Sequence, residues 1–588
     1  MPLASPHPVR RHRIQNNFYD AQARAFWHLR LDVPAAVAGP EGFVIHGATY
    51  LYYGPLLAMA RMPFVLLGHG VDGRLTRVSM ILGFAAACTA TFHLGRHVAR
   101  AMGPHSHRRV PMLVLAVAVS PLLALAGWTS VYHETELWAF ALFIATIALL
   151  AAAHTEPSTA SVTWAAIAAV ATVLTRASVG YGALAAVVIT GVLLWRRQRR
   201  ELAVRAVGIA VGGAIVNVAV NLAKFGTLLD LPADHQLLTL QDPRRAAWFA
   251  GNGGSFFSTR FVPTTVVQYL RPDGVRLERL VPFVRFGPLA HVFGDYPLEG
   301  NTPASSLTSS ATVLLVAAVI GVIVIVRRHQ WQVWPWMLAA LVAAVPTLMI
   351  GFVANRYLTD LLPLLVVPAA FAFAAWEVRR VRLARGGFAV LAFWGAWCNV
   401  SLAVWTSELK NPGFTSLRYH LDDAVFGGSA PSVVRVAAGV PAPRDGVVGV
   451  DGVCDGLYIA EQGKWVALER ADGVRRARGA FHTPVGTIFT SPDGVLELVA
   501  TTDGTVARWT PTNGTPVDGT PVHSSPVPQL DIASDPLSGG LTVAIDGHPS
   551  LYAFAAPSLA NATWMAEFEP VTTSDRGTPI CRFLQDRH

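Results

Sequence analysis

Charge is what this chain of 588 residues has least of: 14% of its side chains are Asp, Glu, Lys or Arg, against 52% hydrophobic. That poverty, with the apolar residues gathered in long blocks, excludes a soluble globular protein and indicates a polytopic membrane protein. Lysine stands at three positions only, Lys224, Lys410 and Lys464, so arginine carries nearly all the positive charge. Arginine in place of lysine, beside abundant Ala, Val and Gly, is the composition of a GC-rich bacterial genome. The formal net charge of +9 would point to nucleic acid in a soluble protein. Here most of the arginine lies between apolar blocks, where it orients a chain in a bilayer, and a nucleic-acid partner is excluded.

Other absences narrow the chemistry. Residues 1–40 hold Arg10, Arg11, Arg13, Arg24 and Arg30 and no apolar run of leader length, so no signal peptide is expected. No close His or Cys spacing marks a metal site, and a divalent cation held by carboxylates is the one cofactor left open. The glycine-rich Gly251-Asn252-Gly253-Gly254 lacks the Lys-Ser/Thr ending of a phosphate-binding loop and reads as a turn. Cysteine occurs four times. Cys88 and Cys398 fall inside apolar runs, where a thiol packs as a small apolar group. Cys454 and Cys581 flank the C-terminal region and are expected to pair as a disulfide if that region faces an oxidising space.

Ten apolar runs have the length of membrane spans: 78–98, 110–128, 137–154, 161–175, 178–195, 203–223, 309–326, 333–352, 357–376 and 387–406. The gaps between them alternate. One set is basic, with Arg96, Arg100, Arg108 and Arg109, then Arg196, Arg197, Arg199 and Arg200, then Arg327 and Arg328, then Arg379, Arg380, Arg382 and Arg385. The other set, apart from one long loop, holds only Arg176 and Arg356. Short arginine-rich loops stay in the cytoplasm, so the second set faces outward. The longest of the cytoplasmic loops, Arg96 to Arg109, has about fourteen residues, too few for even one nucleotide-binding βαβ unit of ~30 residues. Any group transfer must therefore draw on a donor already in the membrane.

Residues 1–77 form an extracytoplasmic segment, 78–407 a transmembrane domain and 408–588 an extracytoplasmic domain. The stretch 51–67 contains Pro55, Arg61 and Pro63. A central Arg costs about 2.5–3.5 kcal/mol on insertion, which favours an interfacial helix. The alternative, an eleventh span with the N-terminus inside, suits the basic N-terminus and leaves every later loop in place. The loop 224–308, with Pro232, Pro243, Pro263, Pro272 and Pro297 among its prolines and Trp248, Phe249, Phe256 and Phe257, is expected to form short surface helices.

Past Glu408 the pattern changes to short alternating segments such as Gly456–Leu468 and Val495–Trp509. They are separated by the turn pairs Asp451-Gly452, Asp472-Gly473, Asp493-Gly494, Asp503-Gly504, Asn513-Gly514 and Asp546-Gly547. Such spacing indicates an all-β domain, and a jelly-roll sandwich suits its size. The run Leu541–Gly547 followed by Leu551–Phe554 resembles a hairpin of concanavalin-like or laminin-G-like sandwiches. Trp465, Trp509 and Trp564 could stack on sugar rings or pack in the core.

Polar residues gather in the outward segments: Asn16-Asn17-Phe18-Tyr19-Asp20, the loop Tyr132-His133-Glu134-Thr135-Glu136, Arg176, and Asn355-Arg356-Tyr357 with Asp360 one turn further. Arginine offers fixed charge and forked donors to a phosphate, and a carboxylate can take a hydroxyl's proton. Glu134 and Glu136 stand two apart, so at most one should point at a substrate. Asp360 follows Arg356 by four, which allows an ion pair on one helical face or a ligand role.

These pieces, in this order, resemble the GT-C superfamily of membrane glycosyltransferases, specifically glycosyltransferase family 39. The likeness rests on Tyr19-Asp20, Tyr53-Gly54-Pro55, Val71-Asp72-Gly73-Arg74-Leu75-Thr76-Arg77 leading to Leu94-Gly95-Arg96, and His133-Glu134-Thr135-Glu136. It continues through Leu174-Thr175-Arg176, Asn221 with Phe225-Gly226, and Asn355-Arg356-Tyr357 with Pro363, covering roughly residues 17–376. The resemblance implies transfer of a sugar from a polyprenyl-phosphate carrier to an envelope glycan, lipid or protein at the outer face. It places the base at Asp20; from the residues themselves, Glu134 is taken as a second catalytic carboxylate. Tyr19, His133, Glu136, Arg176, Arg356, Tyr357 and Asp360 would then line the substrate. Two other readings remain at this level: a transporter of lipid-linked glycans, and a non-catalytic glycan-binding protein acting through its β-domain.

Overall fold

The computed structural model describes residues 17–571 apart from 104–105, 242, 278–281, 288–291, 294–297, 376–380, 409–433, 437–444, 451–456, 462–463, 470–474, 503, 520, 536–539, 547, 554–556, 558 and 560–561. Cys454 and Cys581 lie outside the described residues. The chain divides into a helical unit reaching Thr406 and a second unit made chiefly of the strands beyond it.

The helical unit contains α1 (Phe18–Trp27), α2 (Leu56–Val65), α3 (Leu75–Met102), α4 (Val110–Ala118), α5 (Pro121–Ala126), α6 (Val131–Thr155), α7 (Thr159–Thr175), α8 (Ala177–Arg196) and α9 (Arg200–Phe225). After the long loop come α10 (Thr312–Arg327), α11 (Trp334–Met349), α12 (Leu358–Ala375) and α13 (Val381–Glu408). Seven of these, α3, α6, α8, α9, α11 and α12 (the last two with their leading turns) and α13, are long and apolar enough to cross a membrane. The apolar helices α7 and α10 are shorter, at 17 and 16 residues.

The expected span 110–128 is instead two short helices. Ser120 caps α5 by accepting from Leu122 N, and Pro121, which lacks an N–H, sits at its first turn. The Val119 carbonyl freed by this break finds a partner across the bundle in Asn399 Nδ2, which donates to it at 2.9 Å and also to Ser310 O at 2.8 Å. Segment 51–67 yields only α2, ten residues long. At 1.5 Å per residue that is about half a bilayer.

Helices α6 and α12 are the most buried of the seven, and α9 the least. Around them, outer helices leave large apolar side chains exposed, among them Ile81, Ile215, Val319 and Phe393. Two glycines allow backbones to touch. A Cβ on Gly321 of α10 would overlap the Pro368 carbonyl of α12, and one on Gly54 would overlap the Leu174 carbonyl at the end of α7.

The long loop folds into short helices, Leu237–Gln241, Pro243–Gly251 and Val262–Leu270, and a hairpin of Val275–Leu277 with Val284–Phe286. Gly253 and Gly254 take positive φ and make the turn expected of the glycine-rich stretch. The segment after α11 is held from both sides by this loop. Ser258 N donates to Met349 O and Gly351 N to Phe256 O, while Glu299 N donates to Gly351 O and Thr302 N to Val353 O.

The second unit is built of strands. One sheet of four strands spans Val434–Val436 to Lys464–Glu469, and two antiparallel sheets of five strands follow. Apolar residues of both five-stranded sheets, including Phe481, Phe489, Leu496, Trp509, Ile532 and Val543, form one buried cluster. Trp509 is therefore a core residue, and Trp564 is half-buried against Phe568 and Phe489. The expected hairpin at Asp546-Gly547 joins Gly540–Ile545 to His548–Ala553. Asp546 takes a positive φ of 50° there, and its carboxylate accepts from Ser525 N and Gln529 N.

Candidate functional site

The residues expected to carry chemistry come together at one end of the helical unit. Helix direction brings this about: Thr76 starts α3, Glu134 and Glu136 lie in the first turns of α6, Arg176 joins α7 to α8, Lys224 ends α9 and Arg356 precedes α12. Arg96, Arg100, Arg196 and Arg327 lie toward the opposite ends of their helices. The acidic stretch 132–136 is not the loop expected from sequence, since α6 begins at Val131.

The first group centres on Arg61. Its Nη1 donates to Asp20 Oδ1 at 2.9 Å, and its Nη2 to Glu134 Oε1 at 2.5 Å and Thr76 Oγ1 at 3.1 Å. Asp20 and Glu134 are fully buried. The second Asp20 oxygen accepts from Gly73 N at 2.7 Å, presented by a turn that needs the positive φ of Gly73. Arg24 fastens this turn to α1 by bonding Val65 O, Gly68 O and Asp72. Burial pushes the Asp20 carboxyl above the usual carboxylate range, while the Arg61 charge and the Gly73 amide pull it back. Tyr19 packs under the Arg61 guanidinium and shares a hydrogen bond of 2.7 Å with Thr135.

Arg176 holds the second group. It donates Nε to Asp360 Oδ1 and Nη2 to Asp360 Oδ2 at 2.7 Å, and its Nη1 lies 3.1 Å from Glu136 Oε1. Thr347 donates to Asp360 and Thr359 to Glu136. Asp360 thus pairs with Arg176 and not with Arg356, its neighbour one turn back. Glu134 and Glu136, two residues apart, go to different arginines.

Arg356 is the third guanidinium, half-buried, and no carboxylate lies within ion-pair distance of it among the described residues. Aromatic rings hold it instead: Tyr132 at 4.6 Å, Tyr357 at 4.8 Å and Phe352 at 5.9 Å from their centroids. Tyr357 also faces Arg176 at 5.8 Å. A chain of rings, Tyr132 to Tyr53 at 6.0 Å and Tyr53 to Tyr19 at 5.9 Å, links this place to the Arg61 group. Burial drives the Tyr52 and Tyr53 phenols above their ordinary range, which keeps them neutral.

His133, expected near the substrate, turns toward backbone, with Nδ1 3.2 Å from Leu125 O and 3.0 Å from Trp128 O. Three residues that sequence did not assign to the site belong to its frame. Arg61 is the hub of the first group. Lys224 is buried and donates to Leu51 O and Tyr53 O, fixing the segment that carries Tyr52 and Tyr53. Gln22, on α1, is fully buried, and neither polar atom of its amide has a hydrogen-bond partner among the described residues. A lone cation in an apolar stretch is a signal that could have found Arg61 and Lys224, because such a charge needs a partner.

Among the described residues, no cluster of three or more His, Cys, Asp or Glu side chains is placed to hold a metal ion. The chain matches no family model, no curated protein and no solved structure.

Proposed function

We propose that this chain is an integral membrane glycosyltransferase of the GT-C type. It moves a sugar from a polyprenyl-phosphate donor to an envelope glycan, lipid or protein hydroxyl on the outer side of the cytoplasmic membrane. The observation that carries this reading is the meeting of four carboxylates and three guanidiniums, from segments far apart in the chain, at one end of the helical unit. The exposed apolar side chains on the outer helices support membrane insertion, because water would not tolerate so much uncovered apolar surface. By the arginine rule the gathered end is the outer one.

The chemistry is a single displacement at the anomeric carbon, with inversion. A carboxylate of the Asp20–Arg61–Glu134 group takes the proton of the acceptor hydroxyl as its oxygen bonds to that carbon. The carbon's bond to phosphate breaks, and the lipid phosphate leaves. Arg356, with no carboxylate of its own and neutral phenols near it, receives the phosphate through forked donors. Arg176 is already saturated by Asp360 and Glu136, so its part is to hold α6, α8 and α12 in place around Arg356. The two five-stranded sheets are read as a jelly-roll sandwich, extracytoplasmic, that presents the acceptor.

Proteoliposomes carrying the full chain and a labelled polyprenyl-phospho-sugar test this. Wild type should transfer label, and the double variant Asp20→Asn/Glu134→Gln should lose about 10²–10⁴-fold in rate. No transfer by wild type from any of a panel of lipid-linked sugars, or undiminished transfer by a folded double variant, would end the proposal.

A further inference from the structure

Both oxygens of Asp20 are engaged, one by Arg61 and one by the Gly73 amide. Glu134 differs. Its Oε1 meets Arg61 and the Ser79 hydroxyl bonds the carboxyl, while its buried Oε2 has no donor in close hydrogen-bond geometry among the described residues. A buried carboxylate oxygen with an open lone pair is costly to keep and is retained where something must arrive. Gln22 presents the same anomaly on the neighbouring helix. It follows Phe18 by four residues and Tyr19 by three, so it shares the α1 face that meets Tyr53, with ring centroids 5.6 and 5.9 Å away. Tyr19 in turn touches Thr135 and Arg61, the immediate neighbours of Glu134. A buried amide without a partner and a buried carboxylate oxygen short of donors thus both stand near Tyr19.

Resting on the glycosyltransferase reading, we infer that Glu134 is the base and that Gln22 belongs with it to the acceptor subsite. That subsite takes a compound with neighbouring hydroxyls, such as a sugar ring. Glu134 Oε2 removes the proton from the attacking hydroxyl, whose oxygen forms the new glycosidic bond as the phosphate departs. The Gln22 amide, donor and acceptor together, reads a second hydroxyl, and the faces of Tyr19 and Tyr53 suit the C–H side of a ring. Asp20 is then a positioning residue: it fixes Arg61, which fixes Glu134.

Gln22→Leu and Glu134→Gln, each in the full chain, separate this from a purely structural role. Replacing an unanswered buried amide by leucine of similar size should leave thermal stability equal or higher, since nothing is left unpaired. The same variant should raise the KM for a polyhydroxylated acceptor about tenfold and leave the donor KM unchanged. Glu134→Gln should lower kcat at least about 100-fold and abolish the acidic limb of the rate profile, whereas Asp20→Asn should retain that limb at a lower rate. An unchanged acceptor KM in Gln22→Leu, a lower melting temperature in that variant, or a surviving acidic limb in Glu134→Gln overturns the assignment. Absence of transfer by wild type would instead remove the glycosyltransferase reading beneath it.

Discussion

Arg176 and Asp360 stand 184 residues apart and meet through two parallel hydrogen bonds, Nε to Oδ1 at 3.2 Å and Nη2 to Oδ2 at 2.7 Å. Glu136 shares the same guanidinium, so the arginine answers two carboxylates and each carboxylate depends on the arginine. Loss of the arginine should therefore cost more than loss of one acid. Arg176→Met is expected to destabilise the protein by about 3–5 kcal/mol, and Asp360→Asn by about 1–3 kcal/mol. Thermal unfolding in detergent compares the two, and an Asp360→Asn variant as damaged as Arg176→Met would contradict the shared-guanidinium arrangement.

Gly54 and Gly47 are both glycines of the N-terminal segment, but for different reasons. A Cβ at Gly54 would run into the Leu174 carbonyl, whereas Gly47 has open space and only a positive φ of 79°. Gly47→Ala should cost about 1–2 kcal/mol, the strain of a left-handed residue. Gly54→Ala should cost more, because two backbones must separate, and with them the approach of Tyr53 to the Arg61 group. Melting temperatures in the reverse order would show that the close approach is soft.

The raised Asp20 carboxyl has a consequence for pH. Since its value in the folded protein exceeds that in the unfolded chain, the folded state binds more protons between the two values. Its contribution is greatest below the ordinary carboxylate value of about 3.9 and is lost as pH rises through the raised value. Asp20→Asn should flatten this part of the stability profile. Unfolding midpoints measured across that window, wild type against variant, check it, and parallel curves would refute the shift.

Arg356 is the guanidinium left to answer a phosphate. Arg356→Gln should weaken binding of polyprenyl phosphate about 10–100-fold, the equivalent of one charge-assisted contact, with stability nearly unchanged because no carboxylate is orphaned. Arg356→Lys should recover only part, having lost the flat face that lies against Tyr132 and Tyr357. Binding to the purified chain in nanodiscs is the measurement, and equal affinity in all three would take the phosphate away from Arg356.

Much of the helical scaffold was legible in sequence because long apolar runs and arginine gaps are local signals. The run 110–128 misled because its apolar content hides a break, although Pro121 stood in plain view. The stretch 132–136 read as a loop for the opposite reason: His133, Glu134 and Glu136 are polar, but they open α6 with their side chains turned inward. Asp360 seemed matched to Arg356 by helical spacing, and Arg176, from another helix, won through better geometry. Such a pairing across 184 residues leaves no trace in local pattern. Arg61 was weighed only for its cost in a bilayer, when the same cost argued for carboxylates waiting inside.

Glu134 and Glu136 hang from the opening turns of one stiff helix, each gripping a different arginine. A twist or slide of α6 that relaxed one grip would disturb the other at once. The Arg61 and Arg176 groups thereby share one support, so a displacement of α6 reaches both.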